Sequence, residues 1–114
     1  MLDRRKHPRK HLVFFGRVYH RQTGELLGNL ADITIQGFMV IGEHPQKPDL
    51  KFPLRLELPE QIFGKNHLDL NALSVWSHPD LIPTLHNTGF QLMDVSEEDL
   101  AILERIIREY SAIL

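Results

Sequence analysis

Three residues near position 34 have side chains suited to binding a hydrogen-bonding ligand. They are Asp32, Thr34 and Gly37, within the segment Leu30-Ala31-Asp32-Ile33-Thr34-Ile35-Gln36-Gly37. If this segment is a strand, Asp32 and Thr34 share one face about 6.6 Å apart, with Ala31, Ile33 and Ile35 on the other. The carboxylate accepts, the hydroxyl donates and accepts, and the glycine lets a ligand approach the backbone. A guanine base, with its N1–H and N2–H₂ donors, could use all three. The same pattern is also typical of ordinary turn chemistry, in which the side chains satisfy local backbone groups.

A second group of residues is basic and lies at the N-terminus. Residues 3–10 carry a charge of +4 while the whole chain carries −2, so the remainder carries −6. The basic residues are Arg4, Arg5, Lys6, Arg9 and Lys10. Such asymmetry favours an anionic partner, which could be a nucleotide, a nucleic acid, an acidic protein or a lipid headgroup. A basic terminus that is merely solvated is the alternative.

Arg5 and Arg9 flank Pro8, and this arrangement is favourable for gripping a ligand. Arginine forks bind phosphate oxygens and guanine O6 and N7 in bidentate fashion, and their planar faces stack on bases. Pro8 disfavours helix at His7, so the segment is predicted to be extended or turning. The arm and the polar strand would together form a clamp.

Short strands are predicted over most of the chain between the arm and residue 95. Leu54-Arg55-Leu56-Glu57-Leu58 alternates strictly, which places the three leucines on one core-facing side. The predicted strands are 11–20, 25–34, 37–42, 54–58, 67–76 and 88–93. Many short strands with turn signals and no helix between them indicate an antiparallel sandwich or barrel rather than βαβ units. We expect a mainly β fold, a six-stranded antiparallel barrel.

A helix is predicted after Ser96. Serine is a favoured N-cap, Glu97, Glu98 and Asp99 suit the first turn, and apolar residues recur at helical spacing from Leu100 to Leu114. The helix is expected to cover an open end or face of the barrel, with partner binding as the alternative. The predicted organisation is an arm at 1–11, a barrel at 12–95 and a helix at 96–114.

Several function classes are disfavoured by composition. The chain has no cysteine, so disulfides and thiolate metal sites are excluded, and a reducing cytoplasm is expected. Its seven histidines form no tight cluster with carboxylates, so no metal ligand is predicted. We find no signal peptide and no apolar run long enough to span a bilayer. No nucleophile–base pair or phosphate-cradling glycine loop is evident, so we predict no catalytic residue and no cofactor.

The two motifs together resemble the PilZ domain family. That family is marked by Arg-x-x-x-Arg before the first barrel strand and by Asp/Asn-x-Ser-x-x-Gly some twenty to thirty residues later, here matched by Arg5 and Arg9, then by Asp32, Thr34 and Gly37. Val75-Trp76 resembles a frequent strand end of the family, and Thr88 to Leu92 resembles its last strand before the C-terminal helix. The resemblance implies a split-barrel fold of PilZ type with a flexible basic arm.

The resemblance also implies a ligand and the residues that bind it. Arg5 and Arg9 would grip the phosphates and guanine faces of cyclic-di-GMP, Asp32 and Thr34 would hydrogen-bond the ligand, and Gly37 would give backbone access. Thr34 departs from the usual serine but keeps the hydroxyl. The residue before the first motif arginine influences stoichiometry, and Arg4 at that place favours two ligand molecules. Trp76 either lines the ligand site or packs in the core at a strand end.

The implied function is that of a bacterial, non-enzymatic second-messenger receptor. Ligand binding would order the arm and thereby control an unidentified protein effector, as in motility or biofilm formation. The alternative is a PilZ-like protein-interaction module of pilus or flagellar machinery that binds no nucleotide. A nucleic-acid platform is disfavoured by the acidic balance of residues 12–114.

Overall fold

The computed structural model describes residues 10–12 and 16–112, which form eight strands and one helix. Their bounds are β1 Lys10–Leu12, β2 Arg17–His20, β3 Leu26–Ile33, β4 Gly37–Gly42, β5 Lys51–Ile62, β6 Lys65–Pro79, β7 His86–Met93, α1 Glu97–Glu109 and β8 Ser111–Ala112. Across the described residues, no helix has both the length and the apolar character needed to cross a bilayer.

Six of these strands close into an antiparallel barrel. The hydrogen-bonded order is β2-β5-β6-β7-β4-β3, and pairing of β2 with β3 completes the ring. Closure leaves these six strands without a free edge on the ring, which is how small β proteins avoid exposing unpaired backbone groups. The predicted six-stranded barrel is therefore confirmed, with β5 and β6 longer than the sequence pattern suggested.

Alternation of apolar and polar residues explains why the barrel has a core. In β5, Leu54 and Leu56 are buried, and their Cα partners on β6 are Leu70 and Leu68. At one level of the barrel three phenylalanines meet: the Phe90 ring stacks on Phe38 at 5.4 Å and meets Phe52 edge-on at 5.5 Å. Side chains rather than a channel fill the interior.

The C-terminal helix packs against this core. Ile102, Leu103 and Ile106 have no exposed surface and belong to the same apolar cluster as the barrel residues. At the far end of α1, the side chains of Arg105 and Tyr110 both bond Glu60 of β5. The predicted helix and its covering role are thus confirmed.

The helix ends earlier than the apolar spacing suggested. Tyr110 leaves helical geometry at φ −120° and ψ 18°, although its amide still donates to the Ile106 carbonyl. Ser111 and Ala112 then pair with Leu12 and His11 of β1. The chain therefore changes from helix to strand after Tyr110. The helical periodicity of the sequence does not reveal this strand pairing.

Ser96 is expected to be a measurable source of stability. Its hydroxyl accepts from the Asp99 amide at 3.1 Å, the capping bond that the sequence predicted. Ser96→Ala should lower the free energy of unfolding by about 1 kcal/mol, whereas Ser96→Gly should cost only a few tenths. Thermal unfolding of the three proteins checks this, and equal melting temperatures for Ala and wild type would contradict it.

Candidate functional site

The Asp-x-Thr-x-x-Gly segment is a strand end followed by a turn. β3 ends at Ile33, and β4 begins at Gly37. A β-bulge lies between Leu30 and Asp32, whose Cα partners on β4 are the consecutive residues Val40 and Met39. The extra residue breaks the two-residue alternation expected of a regular strand.

The predicted division of this segment into a polar and an apolar face is therefore wrong. Asp32, placed on the polar face, is buried with 5% of its surface exposed. Ile35, placed on the apolar face, is 40% exposed in the turn. The bulge at Leu30–Asp32, which the apolar pattern does not reveal, changes the facing of Asp32, and Ile35 lies in the turn between the two predicted strands.

The Thr34 hydroxyl organises the turn. Its Oγ1 accepts from the amides of Gln36 at 3.1 Å and Gly37 at 3.2 Å, and the Thr34 amide donates to the Gly37 carbonyl at 2.8 Å. As a donor, Thr34 Oγ1 has one acceptor among the described residues, that same carbonyl oxygen, at an O···O distance of 3.4 Å. That distance is long for an O–H···O bond, so the hydroxyl is the group for which a ligand could best compete.

Gly37 is required by the packing of the strands. A Cβ atom at this position would overlap the carbonyl oxygen of Phe90 on β7. The pairing of β4 with β7 starts at Gly37, opposite Gln91, and the Leu92 amide continues it by donating to the Gln36 carbonyl at 2.9 Å. The glycine thus has a structural role, and its predicted role in ligand access stays a prediction.

A cavity of about 690 Å³ opens beside this turn. It is bounded by residues 34–38 of the turn and β4, by Val75 and Trp76 of β6 and by residues 89–92 of β7. Asp94 and Val95 before α1 and Leu100 within it complete the lining. Its volume lies in the range of small-molecule sites. The fold thus brings Thr34, Gly37 and Trp76 to one cavity, while Asp32 is not among the described residues that line it.

Trp76 forms a wall of the cavity. It is only partly buried, and its indole lies over Gly89 of β7, where a Cβ atom would meet the ring. The His78 ring stacks on it, with ring centroids 5.2 Å apart and planes at 26°. Of the two positions that the sequence left open, the structure places Trp76 at the cavity rather than in the core.

Asp32 connects the motif to the N-terminal strand. Its Cα partner on β1 is His11, and that of the neighbouring Ile33 is Lys10. The chain therefore enters the sheet beside the motif. Arg4, Arg5 and Arg9, the predicted arm residues, lie outside the described residues.

Some residues of the cavity were not singled out from the sequence. Gly89 allows the indole to lie flat, and Gln91 and Asp94 add polar groups to the lining. No sequence signal separated them from ordinary strand and loop residues, because they become neighbours only through the pairing of β6 with β7.

A smaller cavity of about 260 Å³ lies at the other end of β6, where its ionic groups are paired with one another. Lys65 bonds Asp99 at 3.1 Å and Glu98 at 3.2 Å, and the Asp99 hydrogen bond raises the pKa of Lys65. A hydrogen bond from Arg55 lowers the pKa of Asp69. The Lys65 contacts join the β5–β6 hairpin to α1, and the Arg55–Asp69 bond lies within the hairpin. Within the described part of the chain, no three His, Asp or Glu side chains gather as a metal site.

Comparison with known families identifies the class of protein. The family model for the PilZ domain matches residues 3–109, so the chain belongs to the PilZ domain family. The predicted resemblance is confirmed, and with it the assignment to a class of receptor and effector domains rather than enzymes.

Solved structures share the fold at low sequence identity. YcgR from Escherichia coli in complex with c-di-GMP aligns with a TM-score of 0.73 and 15% identity, covering 94% of this chain and 46% of that one. The K. pneumonia MrkH–c-di-GMP complex gives 0.73 and 18%, covering 95% and 52%. The Bacillus subtilis inhibitor of motility MotI/DgrA gives 0.69 and 16%, covering 94% and 51%. The chain spans about half the length of these proteins. No curated protein matches it in sequence.

The role of Thr34 in the turn can be tested by two substitutions. Thr34→Val removes the acceptor of two amide bonds and should lower the free energy of unfolding by about 1–2 kcal/mol. Thr34→Ser keeps the hydroxyl and should stay within about 0.5 kcal/mol of wild type. Chemical denaturation measures both. A loss for Thr34→Ser as large as that for Thr34→Val would contradict the hydroxyl as the main stabilising group of the turn.

Proposed function

We propose that this chain is a cyclic-di-GMP receptor that holds the nucleotide between its basic arm and the cavity beside Thr34. The observation that carries the proposal is the place where the N-terminal strand β1 joins the sheet. β1 contains the last two residues of the predicted arm, Lys10 and His11, and pairs with β3 at Ile33 and Asp32, next to the turn that borders the cavity. The family match begins at residue 3 and so includes the arm.

The reach of the arm supports this arrangement. Arg9 is bonded to Lys10, whose Cα partner is Ile33, one residue before Thr34. Arg5 is five residues from Lys10, a span of at most about 18 Å in an extended chain. Both motif arginines can therefore reach the cavity without any change in the barrel.

The charge of the cavity makes the arm necessary for an anionic ligand. None of the described residues that line the cavity is Lys or Arg. Residues 66–104, which supply β6 after Lys65, β7 and the first half of α1, contain neither. A dinucleotide carries two phosphate charges that must be neutralised when it leaves water. The barrel supplies shape, and the arm supplies the positive charge.

The cavity offers contacts that suit guanine. Trp76 places an indole at the cavity wall, where a base that displaces the His78 ring could stack on it, a contact worth about 1–3 kcal/mol per base in other nucleotide-binding proteins. Gln91 and Asp94 place an amide and a carboxylate at the same cavity, where they can pair with the guanine edge. Asp32 would contact ligand only if the arm and β1 adjust around it, because its carboxylate is buried.

Similar structures that contain this nucleotide support the choice of ligand. The YcgR and MrkH structures are both described as complexes with c-di-GMP. That agreement supports the choice of ligand, while the residues and the stoichiometry proposed for this chain rest on its own sequence and cavity.

The proposed output is a change at the N-terminus. Nucleotide bridging Arg5, Arg9 and the cavity would order the arm against the barrel, a disorder-to-order switch driven by charge-assisted contacts. The ordered arm would add to or cover a surface that a protein effector recognises. We place this signalling in the cytoplasm, in agreement with the absence of cysteine.

Titration with cyclic-di-GMP tests the site directly, because Trp76 is the only tryptophan of the chain. Binding should change its emission. Arg5→Ala and Arg9→Ala should each weaken binding at least tenfold, since a charge-assisted hydrogen bond contributes about 1.5–3 kcal/mol.

Arg17→Ala is the matched control for these variants. Arg17 is an exposed β2 residue outside the cavity whose contact with Glu57, at 3.8 Å, is too weak to matter for stability. Its affinity should equal that of wild type. Wild-type protein that shows neither an emission change nor calorimetric heat at tens of micromolar nucleotide would refute the proposal.

Arg4 is expected to set the number of ligand molecules. Calorimetry should give two molecules of cyclic-di-GMP per wild-type chain and one per Arg4→Ala chain. A second molecule of cyclic-di-GMP needs a further cation for its phosphates, and Arg4 directly precedes Arg5 in the arm. A stoichiometry of one for both proteins would contradict this role while leaving the receptor function intact.

A further inference from the structure

The connection between β6 and β7 presents two apolar side chains to solvent. We call residues 80–85 the apical loop. Leu81 is fully exposed, at 101% of its reference surface, and Ile82 is 55% exposed. Pro79 precedes the loop and Pro83 lies within it, which restricts the backbone. Adjacent large apolar residues at a loop tip lower the solubility of a protein, and exposed apolar patches often mark binding sites.

Hydrogen bonds hold the apical loop in one conformation. The Asp80 amide donates to the Leu85 carbonyl at 2.9 Å, and the Leu85 amide donates to the Ile82 carbonyl at 3.0 Å. The Asp80 carboxylate accepts from the Ile82 amide at 3.1 Å and from the Asn87 side chain at 3.0 Å. These bonds, the one from the Ile82 amide above all, lower the pKa of Asp80.

This rigidity is what distinguishes the apical loop from a flexible surface loop. A backbone that is already ordered loses little conformational freedom when the loop enters a binding pocket, so more of the burial energy appears as affinity. Two neighbouring apolar residues at the tip of an ordered loop have the features of an interface anchor. The Asp80 carboxylate already accepts hydrogen bonds from Ile82 and Asn87, so the tip offers a partner mainly its shape and its apolar surface.

The surrounding charge indicates what kind of partner fits. No Lys or Arg occurs between residues 66 and 104, and the chain outside residues 3–10 carries −6. Two acids lie near the loop. Asp80 is part of it, and Glu43 is close because the preceding residue, Gly42, is the Cα partner of His86 on β7. An anionic bilayer would be repelled, because insertion of a loop into such a surface depends on flanking cations.

We propose that the apical loop docks a folded protein partner, with Leu81 and Ile82 entering an apolar pocket that has a basic rim. The loop lies on the same hairpin as Trp76 and Gly89 but outside the described cavity lining, so partner and nucleotide can be bound at once. The proposal is independent of the proposed nucleotide site.

The first experiment locates the contact in cells of the organism that makes the protein. The photoreactive amino acid p-benzoyl-phenylalanine is placed at position 81, and, as a control, at position 63, because Phe63 is 67% exposed in the turn at the opposite end of β6. A protein cross-linked from position 81 but not from position 63 is the candidate partner, and it is then purified.

The second experiment measures affinity for that purified protein. The double variant Leu81→Ser/Ile82→Ser should lose at least tenfold in affinity, and Phe63→Ser should stay within twofold of wild type. Asp80→Ala keeps both apolar side chains but loosens the loop, so an intermediate loss is expected. Because Leu81 and Ile82 contribute little buried surface, the double variant should melt at the wild-type temperature and bind cyclic-di-GMP as wild type does.

Four results would overturn the proposal. They are the absence of any cross-link from position 81, cross-links only to a second copy of this chain, equal affinity of wild type and the double variant for the purified protein, and sedimentation of wild type but not the double variant with vesicles of equal parts phosphatidylethanolamine and phosphatidylglycerol. The last result would assign the loop to a membrane instead. None of these results bears on nucleotide binding, which the Trp76 titration measures separately.

Discussion

The pairing of β3 with three other strands is the constraint on which the rest of the structure depends. One edge of β3 pairs with β4, while the other pairs with β2 through Leu26 to Asn29 and with β1 through Asp32 and Ile33. The pairing with β2 closes the barrel. The pairing with β1 brings the N-terminal segment to the point where β3 ends. A single strand thus fixes both the scaffold and the position at which the basic arm joins it.

The candidate site has two parts, a cavity formed by the barrel and a basic N-terminal segment. The barrel forms a cavity from the Thr34 turn, the Trp76 indole and the start of α1, and it contributes no described cation to that cavity. Glycine is needed at two places for this shape, at Gly37 because of the Phe90 carbonyl and at Gly89 because of the indole. Positive charge is concentrated in residues 3–10. A cavity without described cations and a basic N-terminal segment are what the proposed switch requires.

Much of the fold could be predicted from the sequence because local patterns determine it. Alternating leucines in β5 and the serine cap of α1 were recognisable, and both the barrel and the helix were correctly expected. The bulge at Leu30–Asp32 and the strand Ser111–Ala112 were not, since each depends on pairing with a distant segment. The site was predicted in part for the same reason. Thr34 and Gly37 were found from their spacing, whereas Gly89, Gln91 and Asp94 join them only through the pairing of β4, β6 and β7.

The central claim is that nucleotide binds at the cavity beside Thr34 rather than elsewhere on the barrel. The most direct measurement is the change in backbone amide resonances, recorded by two-dimensional NMR during titration with cyclic-di-GMP. The account predicts that the largest shifts fall on residues 34–38, on Trp76 and on residues 89–92, which line the larger cavity. Shifts concentrated on residues 64–69, which line the smaller cavity with Asp99, would contradict it.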